Sequence, residues 1–106
     1  MNGELKAKWL EALRSGWYKQ GQGRLRDENN QFCCLGVLCD VGGLGTWRMD
    51  HGGYSYEVNG CKSSFLLPAQ DATIARHTGD LMMLNDGYRL SFKEIADWIE
   101  ENIEDN

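Results

Sequence analysis

No apolar run in this 106-residue chain reaches the roughly 18 residues that a membrane-spanning helix requires. The opening MNGELKAKWLEALRSG alternates charged and apolar groups, so it lacks the unbroken apolar stretch of a secretory signal. The sequence therefore predicts a cytoplasmic protein with no membrane partner. A basic surplus is missing too. The net charge of −5 argues against general nucleic-acid binding, which draws on a cationic surface. Internal repeats, low-complexity tracts and linkers are absent, and a chain of this length has room for one core. Residues 1–106 are expected to form a single domain.

Cysteines number only four, but three of them fall in FCCLGVLCD (32–40). In a cytosolic protein thiols stay reduced, and a disulfide between the adjacent Cys33 and Cys34 would be strained. Structural zinc sites pair close ligands in two knuckles, whereas here C-C-x4-C is followed by twenty-one residues before Cys61. No metal and no other cofactor is expected. A nucleophilic role is the sharper alternative, because a cysteine at a helix start has a lowered pKa and a histidine elsewhere can serve as base. FCCLGVL resembles the F-D-C-S-G pattern around the nucleophile of cell-wall peptidases with a papain-like fold, which would make Cys34 the nucleophile of a cysteine-dependent hydrolase. Cys33 replaces the acid of that pattern and Leu35 its serine. Against this stands plain packing, since free cysteine behaves as a small hydrophobe. Packing is the expectation for all four, and no residue is assigned a catalytic role.

Periodicity organises the rest. Leu5, Trp9, Ala12 and Leu13 recur at helical spacing, predicting a helix over 4–15 that Gly16 caps. Arg24–Asp27 and Asn30–Phe32 are predicted as a short hairpin. Residues 33–41 fit a buried helix or a buried strand; Asp40 and the glycine pair 42–43 favour the helix. Asn59–Gly60, between YSYEV and SSFLL, signals a second hairpin. Pro68 is placed at the start of a helix running to about His77 and stopping near Gly79. Ser91 and Glu94 form an S-x-x-E capping box for a last helix whose apolar stripe is Phe92, Ile95, Ala96, Ile99 and Ile103. The fold class is α+β, with terminal helices and a short cysteine-rich helix packed on a small antiparallel sheet.

Three segments, WLEALRSGWYKQGQGRLR, FCCLGVLCD and LNDGYRLSFKEIADWI, together resemble a set of small uncharacterised proteins encoded by tailed bacteriophages and prophages. The resemblance implies an accessory protein of the bacterial cytosol and transfers no catalytic residue. By analogy with other small phage proteins it points to counter-defence.

Charge patterning supplies the candidate sites. Four cations and no acid lie between Arg14 and Arg26, and six acids and no base between Glu94 and Asp105. In GWYKQGQGRLR, Arg24 and Arg26 offer forked donors for phosphate and Lys19 a point charge. Trp17 and Tyr18 can stack on a base, while Gly21 and Gly23 allow close backbone approach to an anion. The bland alternative is a solvated turn with Trp17 and Tyr18 in the core. Asp97, Glu101 and Glu104 form the outer face of the last helix, either solvated or presented to a basic protein. The sequence thus predicts capture of a small anionic, nucleotide-derived ligand, with inhibition of a host protein through the acidic helix as the alternative partner. A homo-oligomer is compatible with both.

Overall fold

A computed structural model describes residues 1–64 and 72–104, the side chains of Ala72 and Thr73 excepted. Helix α1 spans Gly3–Ser15: the Asn2 side chain accepts from the Leu5 N–H at its start, and Gly16 closes it at φ 83°. Trp9, Ala12 and Leu13 are buried along one stripe, as periodicity predicts. Lys6 is buried as well, with its ammonium on the Ile103 carbonyl at the C-terminal end of the last helix, where the helix dipole favours a cation.

After two-residue strands β1 (Lys19–Gln20), β2 (Arg26–Asp27) and β3 (Gln31–Phe32) comes helix α2, Cys34–Gly42. The helix–strand ambiguity resolves to helix. The Cys33 sulfur accepts from the Gly36 N–H at its N-cap, and Gly43 ends it in the left-handed region at φ 64°. Gly36 has a specific reason: a Cβ there would lie 1.8 Å from the Leu25 carbonyl oxygen, so the chain entering β2 crosses directly over the first turn of α2.

Strands β4 (Thr46–Asp50), β5 (Gly53–Val58) and β6 (Cys61–Ser63) complete the sheet, in the order β1-β3-β2-β5-β4 with β6 also on β5. Both predicted hairpins form, β2 with β3 and β5 with β6, the latter turning on Asn59 and Gly60. The α+β class holds, but the sheet is mixed: β1 runs parallel to β3, because the loop after Gly21 carries the chain out to β2 before it returns. The expected strand residues 65–67 and the helix start at Pro68 lie outside the described residues. Helix α3, Ala72–Met82, runs through Gly79 rather than stopping there; a lone exposed glycine weakens a helix without ending it.

Met83–Gly87 forms a π-helical turn, and α4 follows over Phe92–Asn102. Both hydrogen bonds of the Ser91–Glu94 capping box are made, and all five residues of the predicted stripe are buried. The core lies where α1, α2 and α4 meet, and the Trp9 indole donates to the Cys34 carbonyl inside it. Asn85 is 0% exposed. Its oxygen accepts from Gln20 Nε2 (2.9 Å) and the Cys34 N–H (3.2 Å), and its amide donates to the Gly21 carbonyl (2.9 Å) and Asp86 Oδ1 (2.7 Å). One side chain thereby joins β1, the start of α2 and the π-helical turn. No helix among the described residues is long and apolar enough to cross a membrane.

Candidate ligand-binding face

Directly opposed residues of paired strands share a face, and alternate residues of one strand do so too. Arg26 opposes Phe32 and Tyr54, Tyr54 opposes Met49, and Tyr56 opposes Trp47. Six side chains from four strands therefore project together. Helix α2 covers part of this face: the Tyr56 hydroxyl donates to the Cys39 carbonyl at 2.9 Å. Phe32 and Tyr56 are buried, while Trp47 and Tyr54 are half-buried and Met49 is 72% exposed.

The aromatic rings form a continuous wall. Tyr18 meets Phe32 edge-on at 5.0 Å, Phe32 meets Trp47 at 5.9 Å, and Trp47 meets Tyr54 at 6.4 Å. Asp40, in the last turn of α2, fixes the wall's two polar handles. It accepts from the Tyr18 hydroxyl at 2.5 Å and from the Trp47 indole at 3.0 Å. Burial, reinforced by Asp40, pushes the Tyr18 hydroxyl up to about 12, so it stays a donor at neutral pH.

Arg26 lies across this wall, its guanidinium carbon 3.9 Å from the Tyr54 centroid, 5.2 Å from Phe32 and 5.4 Å from Trp47. Nε and Nη2 both donate to Asn30 Oδ1, at 2.9 and 2.6 Å. That acceptor is a neutral amide, and among the described residues no carboxylate pairs with Arg26. The site thus offers a stacking surface beside a positive charge that no carboxylate among the described residues pairs with.

The other candidates separate. Trp17 is 74% exposed, not in the core, and borders a groove of about 290 Å³ with Lys8, Glu11, Ala12, Tyr18 and Val41. Lys19 is exposed on β1. Arg24 does not join Arg26; it holds the β4–β5 turn, with Nη2 3.1 Å from both Asp50 Oδ1 and the Tyr54 carbonyl. Residues 24 and 26 belong to one extended stretch, yet Arg24 serves a turn and Arg26 a ring face. Gly21 donates its N–H to the Phe32 carbonyl, so that donor is not left for an anion, and Gln20 is held by Asn85 and Leu90. On α4, Asp97 pairs with Arg14 at 2.7 Å, while Glu101 and Glu104 are exposed.

Three of the four cysteines pack. Cys34 is 0% exposed, with its sulfur 3.7 Å from the Leu81 carbonyl, and burial holds its thiol well above the ordinary range. Burial raises Cys33 to about 11 and pushes Cys39 up as well. These are protonated, inaccessible thiols, the opposite of an activated nucleophile. Cys61 departs from the expectation: it is exposed, at the start of β6. Nor do His51 and His77 approach Cys34 by hydrogen bond; the His77 ring contacts Asp80 and Trp98. Among the described residues no three His, Cys, Asp or Glu side chains gather as a metal site.

A protein family described as a domain of unknown function, DUF8296, matches residues 1–75. The chain belongs to that family. No curated protein and no solved structure matches it. The part of the chain matched to DUF8296 contains Tyr18, Arg26, Asp40, Trp47 and Tyr54, whereas α4 and its acidic face lie beyond it. Sequence reasoning about this DUF8296 member overlooked Asp40, Trp47 and Tyr54. Asp40 looks like a helix ending, and only the pairing of β2 with β5 brings Arg26 to Tyr54.

Proposed function

We propose that this protein is a non-catalytic binding protein that captures a small, planar, anionic ligand of the nucleotide type. The carrying observation is Arg26: a guanidinium stacked on Tyr54, held by an amide and left with its charge available. An aromatic wall favours a base-like ring, and the guanidinium favours phosphate. The resemblance of the three segments to phage and prophage proteins supports sequestration in a bacterial cytosol, as a counter-defence role would require. Inhibition through the acidic helix is less favoured, since Arg14 already pairs with Asp97 and Glu100.

Calorimetry with a panel of linear and cyclic nucleotides tests this reading. Binding should weaken as salt rises. Arg26→Ala should lose a charge-assisted contact of about 1.5–3 kcal/mol, roughly 10- to 150-fold in affinity. Arg26→Lys should not restore it, because an ammonium cannot reproduce a stacked fork. Ligand released by denaturation should be chemically intact. No binding across the panel, or equal binding by Arg26→Ala, would remove the function from this face.

A further inference from the structure

Strand β4 is an edge. Its five residues pair with β5 on one side, and among the described residues no strand pairs it on the other. An edge of this length presents unpaired backbone donors and acceptors, and edges that must stay single are usually blunted by proline, a bulge or uncompensated charge. TWRMD has no proline and pairs in continuous register from Thr46 to Asp50. Next to its last residue Met49 stands 72% exposed.

The charges beside Met49 are self-complementary. Arg48 and Asp50 project from the face opposite Met49, since they alternate with it. Each is already engaged within its own chain: Arg48 Nε lies 2.6 Å from Glu57 Oε1, and Arg24 Nη2 lies 3.1 Å from Asp50 Oδ1. Antiparallel pairing of β4 with the same strand of a second copy, about a two-fold axis at Met49, sets Arg48 opposite the second copy's Asp50. Asp50 likewise meets the second copy's Arg48. Across the junction the charges then alternate as Glu57, Arg48, Asp50 and Arg24, the last two from the second copy. On the other face the two Met49 side chains meet. Opposite charges directly across a strand pair stabilise it, and the isologous arrangement closes on itself.

We propose that two copies of this chain associate edge to edge through β4 in this register, making one sheet continuous across the dimer. The aromatic faces of both copies then lie on the same side. The inference goes beyond the ligand reading and does not depend on it, because its test contains no ligand.

A short edge contact belongs to the weak class of association, so sedimentation velocity should extend to about 1 mM protein. The wild type should shift from monomer to dimer with concentration, and less readily in high salt. Arg48→Asp sets two acids opposite each other, and Asp50→Arg sets two cations, so each variant alone should remain monomeric. Mixed together, the two variants restore opposite charges at both positions and should form a heterodimer. Recovery on mixing also shows that both variants are folded. A wild type that stays monomeric throughout overturns the proposal. So does a single variant that dimerises as well as wild type, or a mixture of the two that stays monomeric.

Discussion

Replacing Asn85 by alanine removes a side chain that satisfies buried backbone at two separate places. The Cys34 N–H loses its acceptor and the Gly21 carbonyl loses its donor, both within buried residues. Gln20 keeps its bond to the Leu90 carbonyl, and the half-buried Asp86 can turn to water, so neither adds much. Two orphaned buried groups at about 1–3 kcal/mol each give a loss of roughly 2–5 kcal/mol, allowing for some relaxation. For a marginally stable domain that is a large fraction of the total. Urea unfolding followed by circular dichroism measures it. Asn85→Asp sharpens the test. It retains an acceptor for Gln20 and Cys34 but turns a second oxygen toward the Gly21 carbonyl and Asp86. Burial and the neighbouring carboxylate raise the folded pKa of the new acid above its unfolded value, about 4. The neutral form is therefore the one the fold tolerates. Relative to wild type at each pH, the variant should be least destabilised below the unfolded value and lose stability as pH rises through the folded one. A loss below about 1 kcal/mol for Asn85→Ala would refute the two-orphan account. A pH-independent deficit for Asn85→Asp would refute the account of its charge.

Thiol chemistry gives a second check: native protein should expose one fast-reacting thiol, Cys61, and unfolding should release Cys33, Cys34 and Cys39. Rapid native labelling of Cys34 would contradict its burial and return the hydrolase to consideration. Gly36→Ala should prevent stable folding, since the new methyl would overlap the Leu25 carbonyl at 1.8 Å and neither backbone can yield; a soluble variant with wild-type melting would show that this crossing is loose. Ser91→Ala should cost about 0.5–2 kcal/mol by removing the observed cap, while Glu101→Lys on the exposed face should be nearly neutral. Equal effects in thermal melts would mean that the cap does not hold the helix end.

How much of this was legible in the sequence depended on whether the signal was local. The capping box, the stripe of α4, the Gly16 cap and both hairpin turns are each decided within a few residues, and each appears where expected. The helical state of 34–42 was half legible, because nine mostly apolar residues satisfy either period. The course of α3 past Gly79 and the parallel β1–β3 pair were not, since tertiary contacts decide them.

The binding face marks the sharper limit. The stretch 14–26 holds four cations in thirteen residues, but charge density says nothing about counter-ions. Arg14 meets Asp97 and Glu100, 83 and 86 residues away, and Arg24 meets Asp50, 26 residues away. Of the two forked cations offered for phosphate, Arg24 pairs with Asp50, whereas Arg26 pairs with no carboxylate among the described residues, and its register sets it against Tyr54 and Phe32. Asp40 completes the argument. A carboxylate in the last turn of a helix opposes the helix dipole and should be slightly unfavourable there. It accepts from both Tyr18 and Trp47, so this local expense secures the orientation of the rings beside Arg26. A residue that violates a local rule while holding two distant aromatic side chains is where a functional constraint is expected to leave its trace.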